Sequence, residues 1–199
     1  MSQPLILASG SEIRQVLLRN AGLAFEVEKP RVDEETVRHA MQAEGAPPRD
    51  VADMLAELKA QKVSAKFPAA LVIGCDQVLA IDGEIFAKPE TRDEARAQLE
   101  KLRGAQHRLI SAAVICEGGR PVWRKIGVVK MTMRDFSDAY LDAYLDRNWD
   151  SIQHSVGAYK LEEEGVRLFE RIDGDYFTVL GLPLLELLWF LGNRGVIET

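Results

Sequence analysis

The sequence predicts an α/β protein built on a mixed β-sheet, and its pattern of elements carries that prediction. Short apolar runs such as residues 5–8 and 71–75 alternate with segments that have helical spacing of apolar residues, as in α/β folds. Turn dipeptides at Asp82-Gly83 and Gly118-Gly119 join strand-like segments, which indicates hairpins. Because no repeat or linker divides the chain, we predict one cooperative domain over residues 1–199, with two lobes.

Local signals predict the elements in chain order. Gly22 ends the first helix, Pro47-Pro48 separates two helices, and Thr91 with Glu94 forms a capping box. We predict strands at 5–8, 25–27, 71–75, 109–116 and 122–133, a hairpin of 78–81 with 84–86, helices opening at Ser11, Asp33, Pro48, Thr91, Ser137 and Pro183, and a glycine-punctuated stretch over 157–178.

Composition and charge exclude several functional classes. The 199 residues, 47% hydrophobic and 28% charged, suffice for a globular core. A formal charge of -6 argues against nucleic acid as a partner, because binding its backbone needs a basic face. The N-terminus has no basic leader, and the most apolar segment, residues 179–191, is too short to span a bilayer. We therefore expect a cytoplasmic protein with no membrane partner.

The turn Ser9-Gly10-Ser11 lies between the first strand and a helix that carries Arg14 in its first turn. Free N–H groups at a helix N-terminus, hydroxyls and a guanidinium are suited to binding a phosphate. Alternatively, Ser11 only caps the helix. The glycine spacing of a dinucleotide fingerprint is missing, so both interpretations stay open.

Asp76 directly follows the apolar run of residues 71–75. We therefore expect its carboxylate at the end of a buried strand, where α/β proteins bind ligands. Lys88 would return close to it if the hairpin closes. The pair could activate water and stabilise phosphate charge, or it could be a buried ion pair that closes a turn.

The acidic stretch from Asp33 to Glu35 could supply a second metal-binding carboxylate, although such a run at a helix start is often a solvated face. Lys59 is a surface lysine unless the fold turns it inward. The histidines at 39, 107 and 154 lack metal-ligand spacing, so we expect structural or exposed roles for them.

Taken together, these segments resemble the Maf family of nucleoside triphosphate pyrophosphatases along nearly the whole chain. The N-terminal serine and arginine region, the Asp and Lys-Pro motifs and the C-terminal signature occur in the family's order. The matching segments are LILASGSEIRQVLL, VDEE, LAELKA, GCDQV, GEIFAKP, VGAYKLEEEG and IDGDYFTVLGLPL.

The resemblance implies an elongated mixed sheet flanked by helices, similar to inosine triphosphate pyrophosphatase, with a cleft between two lobes and a homodimer. It implies cleavage of a nucleoside triphosphate into a monophosphate and pyrophosphate, with a divalent metal ion, Mg²⁺ or else Mn²⁺ or Co²⁺. It assigns Asp76 as general base, Lys88 and Lys59 as phosphate-side lysines, Ser9, Ser11 and Arg14 as the triphosphate cradle, and Asp76 and Glu34 as metal ligands.

Gln77 and Glu162 resemble the branch of the family that acts on 7-methyl-GTP, whereas the branch acting on dTTP and UTP tends to have threonine and glutamine there. A glutamate can accept from guanine N–H groups and attract the charge added by methylation. Ile13 stands at a base-contacting position where that branch often has tryptophan. We therefore expect a small-molecule nucleotide as partner, with 7-methyl-GTP as the specific expectation.

The chain also departs from the family pattern. Gln15 replaces a second arginine, Glu12 a proline and Glu163 a glycine, so the cradle loses one cation and the base site gains a side chain. Two alternatives therefore stay open: a dTTP, UTP or modified-pyrimidine pyrophosphatase, and a nucleotide-binding regulator of cell division without catalysis.

Overall fold

The computed structural model describes residues 3–198, which form an α/β fold with a mixed sheet flanked by helices, as the sequence predicts. The strands are β1 (Leu5–Ala8), β2 (Glu26–Val27), β3 (Leu71–Ile81), β4 (Glu84–Phe86), β5 (Gln106–Glu117), β6 (Arg120–Met133) and β7 (Phe169–Asp173). The helices are α1 (Glu12–Asn20), α2 (Glu34–Ala43), α3 (Pro48–Ser64), α4 (Arg92–Leu102), α5 (Asp138–Ile152), α6 (Tyr176–Val179) and α7 (Leu184–Asn193), with 3₁₀ turns at Val156–Ala158 and Glu164–Leu168.

The described residues form a seven-stranded sheet in the order β2-β1-β3-β5-β6-β7, with β4 paired to β3. β1 runs parallel to β2 and β3, and its register with β3 ends where Ala8 pairs with Gly74. β3 and β4 are antiparallel, and Asp82 and Gly83 between them both have positive φ, as a two-residue hairpin requires. β6 and β7 are also antiparallel.

The chain divides into two compact units. The first comprises residues 3–77, 110–127 and 175–198, and the second comprises residues 78–109 and 128–174. Strands β3, β5 and β6 contribute residues to both. The predicted cleft between lobes and the single cooperative domain stay predictions.

The expected end of the third strand is wrong. β3 does not end at Cys75 but continues through Asp76 to Ile81, because β4 pairs with it along Leu79–Ile81 after its pairing with β1 has ended. On α1, Val16 is 41% exposed, whereas Arg14, Leu17 and Leu18 are buried. The buried face of this helix therefore includes a cationic side chain.

Close packing of α3 on β3 depends on Gly74. A Cβ atom on this residue would lie 2.2 Å from Ala56 O and 2.6 Å from Ala60 N. Ala56 and Ala60 are fully buried, so the helix backbone rests directly on the strand. Lys59, next to Ala60, is thereby brought down to the strand.

The second unit has an aromatic core around His107, which is 1% exposed. Its Nε2 lies 2.7 Å from the Tyr159 hydroxyl, and Phe169 packs edge-on against Tyr159 at 4.8 Å between ring centroids. Burial lowers the pKa of His107 to about 4. His107 is therefore a neutral core residue near pH 7, which confirms its predicted structural role.

Within residues 3–198, none of the helices combines the length and the apolar character needed to cross a membrane.

Candidate active site

Lys59, Asp76 and Glu34 form a charged cluster in the first unit. The Lys59 ammonium group lies 2.7 Å from Asp76 Oδ1 and 3.0 Å from Glu34 Oε1. Lys59 and Asp76 are each 6% exposed, whereas the Glu34 side chain is 41% exposed. One buried cation thus joins a buried carboxylate to an accessible one, and Lys59 is turned inward and is not a surface lysine.

Three elements position this cluster. Asp76 lies two residues beyond Gly74, where β1 stops pairing with β3, so the strand beside it gives way to the Ser9-Gly10-Ser11 turn. Lys59 comes from α3, and Glu34 is the first residue of α2.

The members of the acidic stretch at the start of α2 differ in their contacts. Asp33 accepts hydrogen bonds from the N–H and hydroxyl groups of Thr36, and the backbone bond is the main cause that lowers its pKa. Asp33 is therefore the N-cap, Glu35 is exposed, and Glu34 alone faces Lys59.

Asp76 has an acid-base environment typical of functional carboxylates. Burial raises its pKa, and the nearby charges of Lys59 and Arg14 counteract this only in part. Oδ1 accepts from Lys59. Oδ2 accepts no hydrogen bond within residues 3–198, and it is not fully enclosed by protein atoms. This oxygen is therefore accessible for a proton or a ligand.

Arg14 lies almost buried beneath the turn that follows β1. Its Nε donates to Gly181 O at 2.8 Å, and its Nη1 donates to Cys75 O at 3.2 Å and to Ser9 Oγ at 3.4 Å. Nη2 makes no hydrogen bond within residues 3–198, and it is not fully enclosed by protein atoms. Backbone contacts therefore fix the guanidinium and leave one nitrogen available to an anion.

Ser11 occupies the N-cap position of α1, but its side chain makes no capping hydrogen bond. Instead, Ser9 Oγ accepts from the Ser11 N–H at 3.2 Å. The alternative in which the Ser11 side chain only caps the helix is therefore wrong. Its hydroxyl and the first N–H groups of α1 stay available for an anion.

Lys29 is a cation beside this turn that sequence reasoning missed. Its side-chain carbons lie 3.5 to 3.8 Å from the position of a Cβ on Gly10. Lys29 follows β2, which is parallel to β1, so the fold aligns the two strand ends. No local signal distinguishes it from other exposed lysines.

Gln77 is held by polar groups of the first unit. Its Nε2 lies 2.9 Å from Ser111 Oγ, 2.9 Å from Val179 O and 3.2 Å from Thr178 O. Ser111, which is fully buried, donates to Thr178 O at 2.8 Å. Sequence analysis also missed Ser111, because a single serine inside an apolar strand carries no motif.

Glu162 and Lys88 belong to the second unit, and both are exposed. The two glutamates after Glu162 contact other side chains of this unit: Glu163 accepts from Ser151 and Lys160. Hydrogen bonds, first from Arg147 and then from Asn148, lower the pKa of Glu164 to about 2. Ile13 lies half-buried on α1 in the first unit.

No all-protein metal cage is present among residues 3–198, where His, Cys, Asp and Glu side chains do not gather in groups of three or more that could hold an ion. The accessible carboxylate oxygens of Asp76 and Glu34 still fit Mg²⁺. This ion commonly uses one or two carboxylates together with substrate phosphates and water.

Comparisons with known proteins identify relatives that match nearly the whole chain. The family model described as "Maf-like protein" matches residues 4–194. A nucleoside triphosphate pyrophosphatase of Ruegeria pomeroyi is 60% identical over 199 residues, covering 100% of both chains, and one of Roseobacter denitrificans is 63% identical over 195 residues, covering 98% of each. A 7-methyl-GTP pyrophosphatase of Brucella abortus is 48% identical over 198 residues, covering 100% of both chains. On this match along nearly its whole length, the chain belongs to the Maf family.

Proposed function

We propose that the protein hydrolyses a nucleoside triphosphate to the monophosphate and pyrophosphate. The observation that carries this proposal is the Lys59–Asp76 pair, in which a buried carboxylate of raised pKa keeps one accessible oxygen. The strand beside it leads into the N-terminus of α1, where free N–H groups are suited to an anion. The names of relatives at 60% and 63% identity support it.

In the proposed reaction, Asp76 Oδ2 accepts a proton from a water molecule whose oxygen attacks the α-phosphorus. The bond between this phosphorus and the bridging oxygen breaks, and pyrophosphate leaves with the electron pair. A base of raised pKa is better matched to proton transfer near neutral pH than an ordinary carboxylate. Arg14 Nη2, Lys59, Lys88 and the hydroxyls of Ser9 and Ser11 stabilise the phosphate charges.

A divalent metal ion is part of the proposal, with Asp76 and Glu34 as the residues that would hold it. Bound together with the triphosphate, it would neutralise charge on the phosphate oxygens. Mg²⁺, Mn²⁺ and Co²⁺ are the candidates.

Replacing Asp76 by asparagine tests the role of the base. We expect Asp76→Asn to lower kcat by about a hundredfold or more, because general-base catalysis contributes that much. Pyrophosphate release from a panel of nucleotides is the measurement. Glu35→Gln is the matched control, since it removes an exposed carboxylate from the same helix start. An unchanged rate in Asp76→Asn would refute the assignment, and nucleotide binding without hydrolysis by the unmutated protein would favour a regulatory function.

We propose 7-methyl-GTP as the preferred nucleotide. Glu162 supports this, because it makes no hydrogen bond or ion pair within residues 3–198, whereas Glu163 and Glu164 do. A free carboxylate can accept from the N–H groups of guanine. The name of the relative at 48% identity also supports it.

The base preference can be tested with Glu162→Gln. We expect kcat/KM for 7-methyl-GTP to fall about tenfold relative to dTTP and UTP, because the charged acceptor is lost. Glu170→Gln is the control, since it removes another exposed carboxylate of the second unit. If the ratio between the bases stays constant in Glu162→Gln, Glu162 does not read the base.

We also propose a homodimer located in the cytoplasm. Sedimentation of the purified protein across a range of concentrations tests the oligomeric state.

A further inference from the structure

The amide group of Gln77 can adopt only one orientation in its surroundings. Its Nε2 faces the backbone oxygens of Thr178 and Val179 and the Ser111 hydroxyl, whose own proton goes to Thr178 O. All three neighbours act as acceptors at this point, so the NH₂ end must face them. The donors of Gln77 are therefore used by the protein itself.

These hydrogen bonds hold one short segment, residues 178–181, against the sheet. Gln77 belongs to β3 and Ser111 to β5, so the segment is attached to two strands. Gly127 on β6 makes the approach possible, because a Cβ there would lie 2.6 Å from Thr178 Cγ2. The position of the segment is thus set by one buried and several partly buried hydrogen bonds in addition to its apolar side chains.

The same segment holds Arg14. Gly181 O accepts from Arg14 Nε at 2.8 Å, and Gly181 has a φ of +94°, which favours glycine. A Cβ at Gly181 would lie 3.0 Å from Arg14 Nη2. A shift of the segment would therefore move the guanidinium, or release it from its backbone acceptor.

We propose that Gln77 and Ser111 are positioning residues for Arg14: they hold residues 178–181 so that Gly181 O directs the guanidinium toward the phosphates. This inference rests on the proposed function of Arg14 in binding the triphosphate. It differs from the base-contacting role that family resemblance implies for Gln77. It predicts an effect on phosphate binding that is the same for every base.

The inference can be tested with Ser111→Ala and Gln77→Met, which remove the hydrogen-bonding groups with little change in shape. Ser64→Ala is the matched control, because Ser64 is another fully buried serine, and its hydroxyl accepts from the Gly119 N–H. Binding of inorganic tripolyphosphate, which has no base, is measured by calorimetry with magnesium present. KM and kcat are measured for 7-methyl-GTP, GTP, dTTP and UTP, and melting temperatures for all variants.

We expect the affinity for tripolyphosphate to fall about five- to tenfold in both variants, as for a weakened charge-assisted contact. KM should rise by a similar factor for every nucleotide, with the ratios between bases unchanged and kcat less affected. Ser64→Ala should lower the melting temperature without changing tripolyphosphate affinity.

Unchanged tripolyphosphate affinity, or a change in the ratios between bases, would overturn the inference. So would an equal loss of tripolyphosphate affinity in Ser64→Ala, which would indicate general destabilisation. If the unmutated protein neither binds tripolyphosphate nor releases pyrophosphate, the proposed function itself fails. If instead the unmutated protein is active and Ser111→Ala binds tripolyphosphate equally well, only the positioning role fails and the proposed function stands.

Discussion

Lys59 is the residue that links the two carboxylates of the site. Its ammonium group is buried with Asp76 at 2.7 Å, and a buried charge of this kind is tolerated only with a close partner. Because Glu34 approaches the same ammonium group from a more exposed position, the lysine is neutralised on two sides. Removing Lys59 would leave two carboxylates without their common counter-charge.

Lys29 supplies a cation next to the Ser9-Gly10-Ser11 turn, in a chain where Gln15 replaces the arginine usual in the family. We expect Lys29→Gln to raise KM for nucleoside triphosphates about two- to fivefold. The effect should shrink at high salt, because exposed charges are screened. Steady-state kinetics at low and high ionic strength provide the measurement. Lys66→Gln is the control, since that exposed lysine pairs with Glu28. Equal effects in the two variants would show that only net charge matters.

The sequence could predict residues that occur in recognisable segments, such as Asp76, Lys59 and Arg14, but not all of their contacts. The ion pair of Asp76 with Lys59 from α3 could not be read from the sequence, and the expected approach of Lys88 to Asp76 stays a prediction. Ser111 and Lys29 were missed because their importance arises from tertiary neighbours, which a single sequence does not display.

At the level of elements, the distance between α3 and β3 determines whether Lys59 can reach Asp76. We expect Gly74→Ala to destabilise the fold by about 2 to 3 kcal/mol through overpacking and to weaken tripolyphosphate binding by separating the pair. Thermal denaturation and calorimetry test both effects. The nearest atom to the new Cβ is a backbone oxygen, Ala56 O at 2.2 Å. Adding Ala60→Gly should therefore not restore stability, and full restoration would contradict the backbone clash.

Elements with strong local signals were predictable. The hydroxyl oxygens of Thr91 and Ser137 accept the expected capping hydrogen bonds from the N–H groups of Glu94 and Tyr140. The length of β3 and the strand β7 were not predicted, because both depend on pairing with strands distant in sequence. Strand order was out of reach for the same reason.

For the whole molecule, His107 predicts a loss of stability in acid. Its folded pKa is about 4, below the ordinary value of 6.5, so between these values the unfolded chain binds the proton more readily. The contribution to stability is therefore present above pH 6.5 and is lost as the pH falls toward 4. We expect a loss of about 2 kcal/mol between pH 7 and pH 5 from this group.

Chemical denaturation at pH 7 and pH 5 measures this loss. His107→Gln is the informative variant, because glutamine can keep a hydrogen bond to the Tyr159 hydroxyl and does not titrate. The variant should lose less stability on acidification than the unmutated protein. The same loss in both would assign the acid sensitivity to other groups.

The charge balance around Lys59 has a consequence for how a nucleotide would arrive. With both carboxyl groups ionised, this cluster holds one more negative than positive charge, in a protein of formal charge -6. A nucleoside triphosphate without a bound cation is repelled by this net negative charge. A nucleotide that is already complexed with a cation carries less negative charge and is repelled less. Uptake of the nucleotide and of its counter-ion should therefore be thermodynamically linked, each increasing the affinity for the other.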